Sequence, residues 1–311
     1  MIKIFNWVTK ETSIDFMKAR KIAYAFSGLC FIASLALMGT RSFNYGIDFS
    51  GGILIEVKSA QVIDVEEMRK TLEVVGLDDL NLQSIGQDGT EVMIRAQAKN
   101  LDEKGQMQAV NSIKAALGTT YEYRRVELVG PQVGHELKLD GIIAAALAIL
   151  AISAYIWVRF EWQFALGAMA GLIHDVVIVC GLVSLFDIDF SLTTVAAILT
   201  FAGYSMNDTV VTFDRVRENL RKYKKMPQYE LLNKSFNDIL SRTILTGITT
   251  LLACASLYFF GGKALQSFSF PLFWGILLGT YSSIYVSGVI LNFFDLHRTS
   301  EEVKVSPFGN A

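Results

Sequence analysis

Several things are scarce in this sequence. Proline occurs 4 times and cysteine 3 times in 311 residues, charged residues make up 19%, and the formal net charge is only -2. With so little proline and 52% hydrophobic residues, a collagenous or disordered chain is excluded. Cys30, Cys180 and Cys254 each stand inside an apolar run, so no disulfide framework is indicated. A balance this close to neutral leaves no electrostatic footprint for nucleic acid. The shortage of charge is also uneven. Long charge-free stretches alternate with ordinary polar sequence, which is the pattern of a membrane protein.

A helix needs about 20 largely apolar residues to cross the hydrocarbon core. Six stretches qualify: 22–38, 141–158, 165–186, 192–213, 242–260 and 272–293. Reading the first as a cleaved signal would leave the termini on opposite sides, and its apolar run is long for that role. Lys3, Lys10, Lys18, Arg20 and Lys21 precede it, and the 214–241 connection carries Arg215, Arg217, Arg221, Lys222, Lys224, Lys225 and Lys234. Lysine and arginine accumulate on the cytoplasmic side. The spacing therefore predicts a cytoplasmic segment 1–21, a cytoplasmic tail 294–311 and a cytoplasmic basic loop, with 40–134 outside.

That external region changes period. Ile53–Val57, Leu80–Ile85, Glu91–Ala96 and Tyr121–Val129 read as strands, with a Gly86-Gln87-Asp88-Gly89 turn between the second and third. Asp64 can cap a helix to Val75 with Val65, Met68, Leu72 and Val75 on one face; Leu101–Leu117 follows with Met107, Val110, Ile113 and Leu117. The expected fold class is thus an α-helical membrane protein with six transmembrane helices plus a small α+β ferredoxin-like (βαββαβ) domain. Both helices would lie on one side of its sheet and leave the other side available to a partner. The domain shows no cysteine, histidine pair or Ser/His/Asp grouping, and His135 reads as a linker residue. Gly46, Gly51 and Gly52 at the way in, and Gly130, Pro131 and Gly134 at the way out, read as hinges. No cofactor or metal motif is present.

Ionisable groups inside the bilayer cost roughly 2.5–3.5 kcal/mol each and are functional candidates. His174, Asp175, Asp208 and Arg242 qualify. Asp208 lies about 24 Å below Leu192 and Arg242 about 27 Å below Phe260, at 1.5 Å per residue. On antiparallel helices those depths match, so the two can pair. Arg242 also opens a stripe with Thr246, Thr249 and Ala253. A static pair that fixes helix packing accounts for the same spacing. For His174 and Asp175 a hydrogen-bonded core pair is the plainer reading, beside a relay, since histidine titrates near neutral pH. Gly167, Gly171 and the ladder Gly275, Gly279, Ser283, Ser287 mark close helix contact.

The motifs GIDFSGG (46–52), VGPQVG (129–134), VRFEWQFA (158–165), IHD (173–175), SMNDTVVTFDRVREN (205–219) and LSRT (240–243) are similar to those of a known family. Over essentially the whole chain, in order, they resemble the SecF subunits of the bacterial SecD–SecF protein-export complex, within the resistance-nodulation-division superfamily. The resemblance implies a subunit of the inner membrane that pairs with SecD in a twelve-helix bundle. It implies association with the SecYEG channel, with YajC and with translocating preprotein. It implies protons as the coupling ion, with no cofactor and no covalent chemistry. It also implies that Asp208 and Arg242 lie on the proton pathway, with Asn207 in support. A half-transporter for small hydrophobic molecules and a passive scaffold are the competing classes. The former would carry larger external domains, and the latter would gain nothing from buried charge.

Overall fold

The computed structural model describes residues 12–75, 78–85, 88–97 and 103–296. Helix α1 (Arg20–Arg41) and a single-turn α2 (Ile47–Ser50) lead into a small α+β domain. Its elements are β1 (Gly52–Lys58), α3 (Val65–Glu73), β2 (Asp78–Ile85), β3 (Glu91–Gln97), α4 (Glu103–Leu117) and β4 (Glu122–Val129). The bundle continues with α5 (Pro131–Arg159), α6 (Trp162–Leu185), α7 (Leu192–Lys222), α8 (Gln228–Phe260) and α9 (Gly262–Ser282). A π-helical segment Ser283–Gly288 and a 3₁₀ turn Leu291–Phe293 extend α9.

The sheet is four-stranded and antiparallel in the order β2-β3-β1-β4, with Ile55 opposite Ile94 on one side and Val126 on the other. Alternation along β1 sends Ile53, Ile55 and Val57 to one face, where they meet Met68 and Leu72 of α3 and Val110 and Ile113 of α4. Asp64 accepts from the backbone N–H of Glu66 (2.9 Å) and Glu67 (3.2 Å), starting α3 as its sequence predicts. On α4 the predicted stripe needs correction. Met107 is exposed, whereas Gln106 is buried and its amide donates to the Val129 carbonyl at 3.3 Å. Residues 86–87 of the predicted turn and 101–102 of the predicted second helix lie outside the described residues.

The other sheet face is not free. Leu54 and Met93 pack there with Ile47 of α2. Arg95 on β3 reaches the α6–α7 connection, where it forms an ion pair with Asp189, and its Nη1 donates to Asn44 Oδ1 at 3.3 Å. Asn44 Nδ2 donates in turn to Asp189 Oδ1 at 3.0 Å. Backbone bonds Phe190 N–H to Asn44 O (2.7 Å) and Gly46 N–H to Phe190 O (3.0 Å) tie the same connection to the start of the domain. The domain is therefore docked on the bundle through its own sheet.

Among the described residues five helical segments are long and apolar enough to cross a membrane: Arg20–Arg41, Pro131–Arg159, Trp162–Leu185, Gln228–Phe260 and Leu265–Phe293. They contain or largely overlap five of the six predicted stretches. The remaining stretch, 192–213, falls in α7, where Asn207, Asp208, Ser205 and several threonines lower its mean hydropathy. A capping box starts α7: Ser191 Oγ accepts from the Thr194 N–H, and Thr194 Oγ1 accepts from the Ser191 N–H. Pro131, following Gly130, starts α5, so His135 sits exposed on a helix rather than in a linker. The basic segment 214–241 is likewise mostly helical. Leu231, Leu232, Phe236 and Ile239 give α8 an apolar stripe before its membrane portion, and the first three join a core with Val216 and Leu220 of α7.

Candidate functional site: two carboxylates caged by hydroxyls

Close helix contact builds the site. An added Cβ at Gly279 of α9 would stand 2.8 Å from Ser205 Cβ of α7, and one at Gly167 of α6 would stand 2.8 Å from the Ser287 carbonyl oxygen. Gly275 likewise faces the Phe201 ring. The glycine-serine ladder is thus a packing device, as its period predicts. It also brings side chains of α6, α7, α8 and α9 to one level.

Asp208 on α7 accepts two hydrogen bonds, from Thr243 Oγ1 of α8 to Oδ1 (2.9 Å) and from Ser283 Oγ to Oδ2 (2.7 Å). It does not pair with Arg242. The guanidinium is exposed and makes no ion pair among the described residues. Matching depth set the level of the two residues, but neighbouring positions on a helix point about 100° apart, and Thr243 is the one that faces α7. Thr246 and Thr249 continue outward beside Arg242. The Thr246 hydroxyl donates to its own helix, to the carbonyls of Arg242 (3.0 Å) and Thr243 (3.1 Å). Asn207 is also exposed, on the outer side of α7.

Asp175 on α6 is fully buried. It accepts from Ser205 Oγ and Ser282 Oγ, both at 2.7 Å, and lies 2.9 Å from His174 Nδ1. Charge-assisted bonds of this length are the strong ones. The predicted His174–Asp175 pair is therefore present, with two hydroxyl partners that its sequence neighbourhood does not reveal. Four partners went unforeseen: Thr243, Ser205, Ser282 and Ser283. Ser283 belongs to the ladder, while Ser205 and Thr243 lie within the quoted motifs. The available signal was a hydroxyl at each position where a carboxylate would need a donor.

At the junction with the α+β domain, Gly51 (φ +70°) and Gly52 (φ +125°) hold conformations that side chains resist. A Cβ at Gly134 would lie 2.9 Å from the Gly51 nitrogen, so these glycines permit two backbones to touch. Asp48 Oδ2 accepts from the Leu192 N–H at 3.0 Å, joining this junction to the start of α7.

A bundle of apolar helices around ionisable side chains, with a small domain docked at one end, defines a multi-pass membrane protein of the kind built for transport rather than catalysis. Comparison with known proteins makes the class specific. Residues 109–297 match the family model for the protein export membrane protein SecD/SecF, C-terminal, and residues 36–61 match the SecD/SecF GG motif. The chain is 46% identical over 297 residues to the protein translocase subunit SecF of Rickettsia felis, covering 94% of this chain and 96% of that one. It is 44% identical over 302 residues to the SecF of Rickettsia typhi, covering 96% of this chain and 97% of that one. The crystal structure of SecDF from Thermus thermophilus, described as a translocon-associated membrane protein, superposes with a TM-score of 0.81 at 33% identity. It covers 92% of this chain, which spans 39% of the SecDF chain. The chain belongs to the SecD/SecF family, as a SecF protein translocase subunit.

Proposed function

We propose that this chain pairs with SecD and uses the proton-motive force to help preprotein cross and leave on the periplasmic side of the bacterial inner membrane. In this reading α7 also crosses the membrane, as the fourth of six spans in chain order, both termini are cytoplasmic, the docked domain is a ferredoxin-like periplasmic head, and SecYEG, YajC and preprotein are the further partners. The coupling ion is the proton, and no cofactor takes part. The observation that carries the reading is Asp208, a carboxylate sunk among helices and held by two hydroxyls rather than neutralised by a fixed cation. Taking up a proton turns one of its two oxygens from acceptor to donor, which forces the hydroxyl facing that oxygen to reorient. Release of a bound arginine is not needed for that step.

The partner-facing side follows from exposure. Thr193, Ala196, Thr200, Gly203 and Asn207 form one exposed stripe on α7, and Arg242, Thr246, Thr249, Ala253 and Ser256 form another on α8. Small and hydroxyl side chains in a span mark a helix–helix contact, and an exposed guanidinium there calls for polar company. SecD is the partner that would cover both stripes and bring Arg242 and Asn207 into the proton pathway beside Asp208. Glycines 46, 51, 52, 130 and 134, with Pro131, would then be the joint about which the head moves.

The test is Asp208→Asn in the assembled complex, with preprotein export measured with and without a proton gradient. The expected result is normal assembly with SecD and loss of the gradient-dependent part of export. Unchanged gradient dependence would leave a scaffold, and drug sensitivity without an export defect would favour a small-molecule exporter.

A further inference from the structure

Asp175 and Asp208 share a feature that neither shows alone: their donors on α9 are consecutive residues. Ser282 serves Asp175 and Ser283 serves Asp208, each at 2.7 Å. Both sit where α-helical bonding gives way to the π-helical segment Ser283–Gly288, a distortion often found at functional sites. Each hydroxyl has one hydrogen and two acceptors within reach. For Ser282 the alternative is the Gly279 carbonyl at 3.4 Å, and for Ser283 it is the Thr280 carbonyl at 3.1 Å. Each hydrogen can therefore rest on a carboxylate or on its own helix.

His174 adds a second observation. It is buried, its Nδ1 faces Asp175, and its Nε2 has no hydrogen-bond partner among the described residues. The Tyr281 ring lies 6.5 Å away, centroid to centroid, but its hydroxyl is engaged by Ser27 Oγ and the Ala23 carbonyl, both at 3.0 Å. Buried polar atoms are nearly always satisfied, so one that is not requires a reason. A pair serving only to join helices would not need that acceptor left over. The groups facing Asp175 are Ser205 of α7, Ser282 of α9 and His174 of its own helix, with no lysine or arginine paired to it among the described residues.

We propose that Asp175, backed by His174, is a second proton-accepting group, coupled to Asp208 through the hydroxyls of Ser282 and Ser283. This rests on the proton-coupled reading above. A proton taken up at His174 Nε2 is balanced by transfer of the Nδ1 hydrogen to Asp175 Oδ1, leaving a neutral imidazole of the other tautomer. Protonated Asp175 no longer needs both serine hydrogens, and the Ser282 hydrogen turns to the Gly279 carbonyl. At Asp208 the protonated carboxyl donates to Ser283 Oγ, whose hydrogen turns to the Thr280 carbonyl. Both rotations act on the same turn of the last helix, so each carboxyl senses the state of the other.

The experiment places Asp175→Asn, Ser282→Ala and Asp208→Asn in the full chain, assembled with SecD and the channel. Asparagine preserves the shape of the side chain and can still accept from the serines, and co-purification with SecD checks assembly. Asp175→Asn and Ser282→Ala are each expected to cut gradient-dependent export at least tenfold, with Asp175→Glu restoring part of it. Infrared titration of the carboxyl bands supplies a readout that a purely structural role would not move. Two coupled bands are expected in the unmodified chain, and Ser282→Ala should displace the Asp208 band. Full export in Asp175→Asn and Ser282→Ala while Asp208→Asn is inactive would overturn this proposal and leave proton coupling standing. Full gradient-dependent export in Asp208→Asn would remove the proton-coupled reading and this proposal with it.

Discussion

Arg95→Ala tests how the α+β domain is held on the bundle. The substitution removes the ion pair with Asp189 and the 3.3 Å bond to Asn44, leaving Asp189 with the Asn44 amide alone. The side chains of Arg95 and Asp189 are 13% and 20% exposed. A fully buried pair that loses one partner costs about 3–5 kcal/mol, whereas an exposed pair is worth about 0–1. Between those limits, about 2 kcal/mol is the reasonable expectation. Since 1.4 kcal/mol is a factor of ten, the undocked population should rise roughly thirtyfold. Hydrogen exchange at the Gly46 and Phe190 amides, whose bonds close this junction, reads that population directly. Arg95→Asp combined with Asp189→Arg should recover most of the protection. If Arg95→Ala leaves exchange at both amides unchanged, the clamp does not hold the domain, and the docking rests on the other junction contacts, among them the Asp48–Leu192 bond.

Two further outcomes follow from burial and packing. Burial raises the carboxyl pKa of Glu56, against the pull of Arg125 at 3.6 Å. A raised acid pKa means that the folded domain binds the proton more tightly than the unfolded chain. Stability is then greatest below the unfolded value and falls as pH rises through the folded one, and Glu56→Gln should stabilise the sheet at neutral pH and flatten that dependence, as measured by exchange in β1. Gly279→Ala should cost about 1–3 kcal/mol by overpacking against Ser205. It should lower the thermal midpoint of the purified protein, and an unchanged midpoint would mean that α7 and α9 are not in close contact.

Much of the architecture was legible because it is dictated locally. Lipid demands about 20 apolar residues per span, so five spans announce themselves by composition. Asp64 caps its helix with its own carboxylate, and the alternation along β1 matches its two faces. Where local rules conflict, the reading slipped. Met107 is apolar, but Gln106 occupies the inward position one turn before Val110. Helix α7 is less apolar than the other long helices partly because it carries Asp208 and the buried hydroxyls Ser205, Thr209 and Thr212. The adjoining basic ends of α7 and α8 read as a loop in the sequence because their lysines and arginines mask the apolar stripe that joins them.

By itself the sequence determined where the long apolar helices and the strands lie, at what level along its helix each ionisable residue sits and which family the motifs belong to, since these depend on residues close together along the chain. The tertiary structure decided what each side chain meets. Asp208 at the right depth faces Thr243 and Ser283 rather than Arg242, and Asp175 takes hydroxyls from two helices far away in sequence. Arg95 finds Asp189 from 94 positions away, and so closes a sheet face that the strands alone leave open. Depth along a helix is counted in residues, but the direction a side chain points is set by how helices rotate against one another, and only packing fixes that.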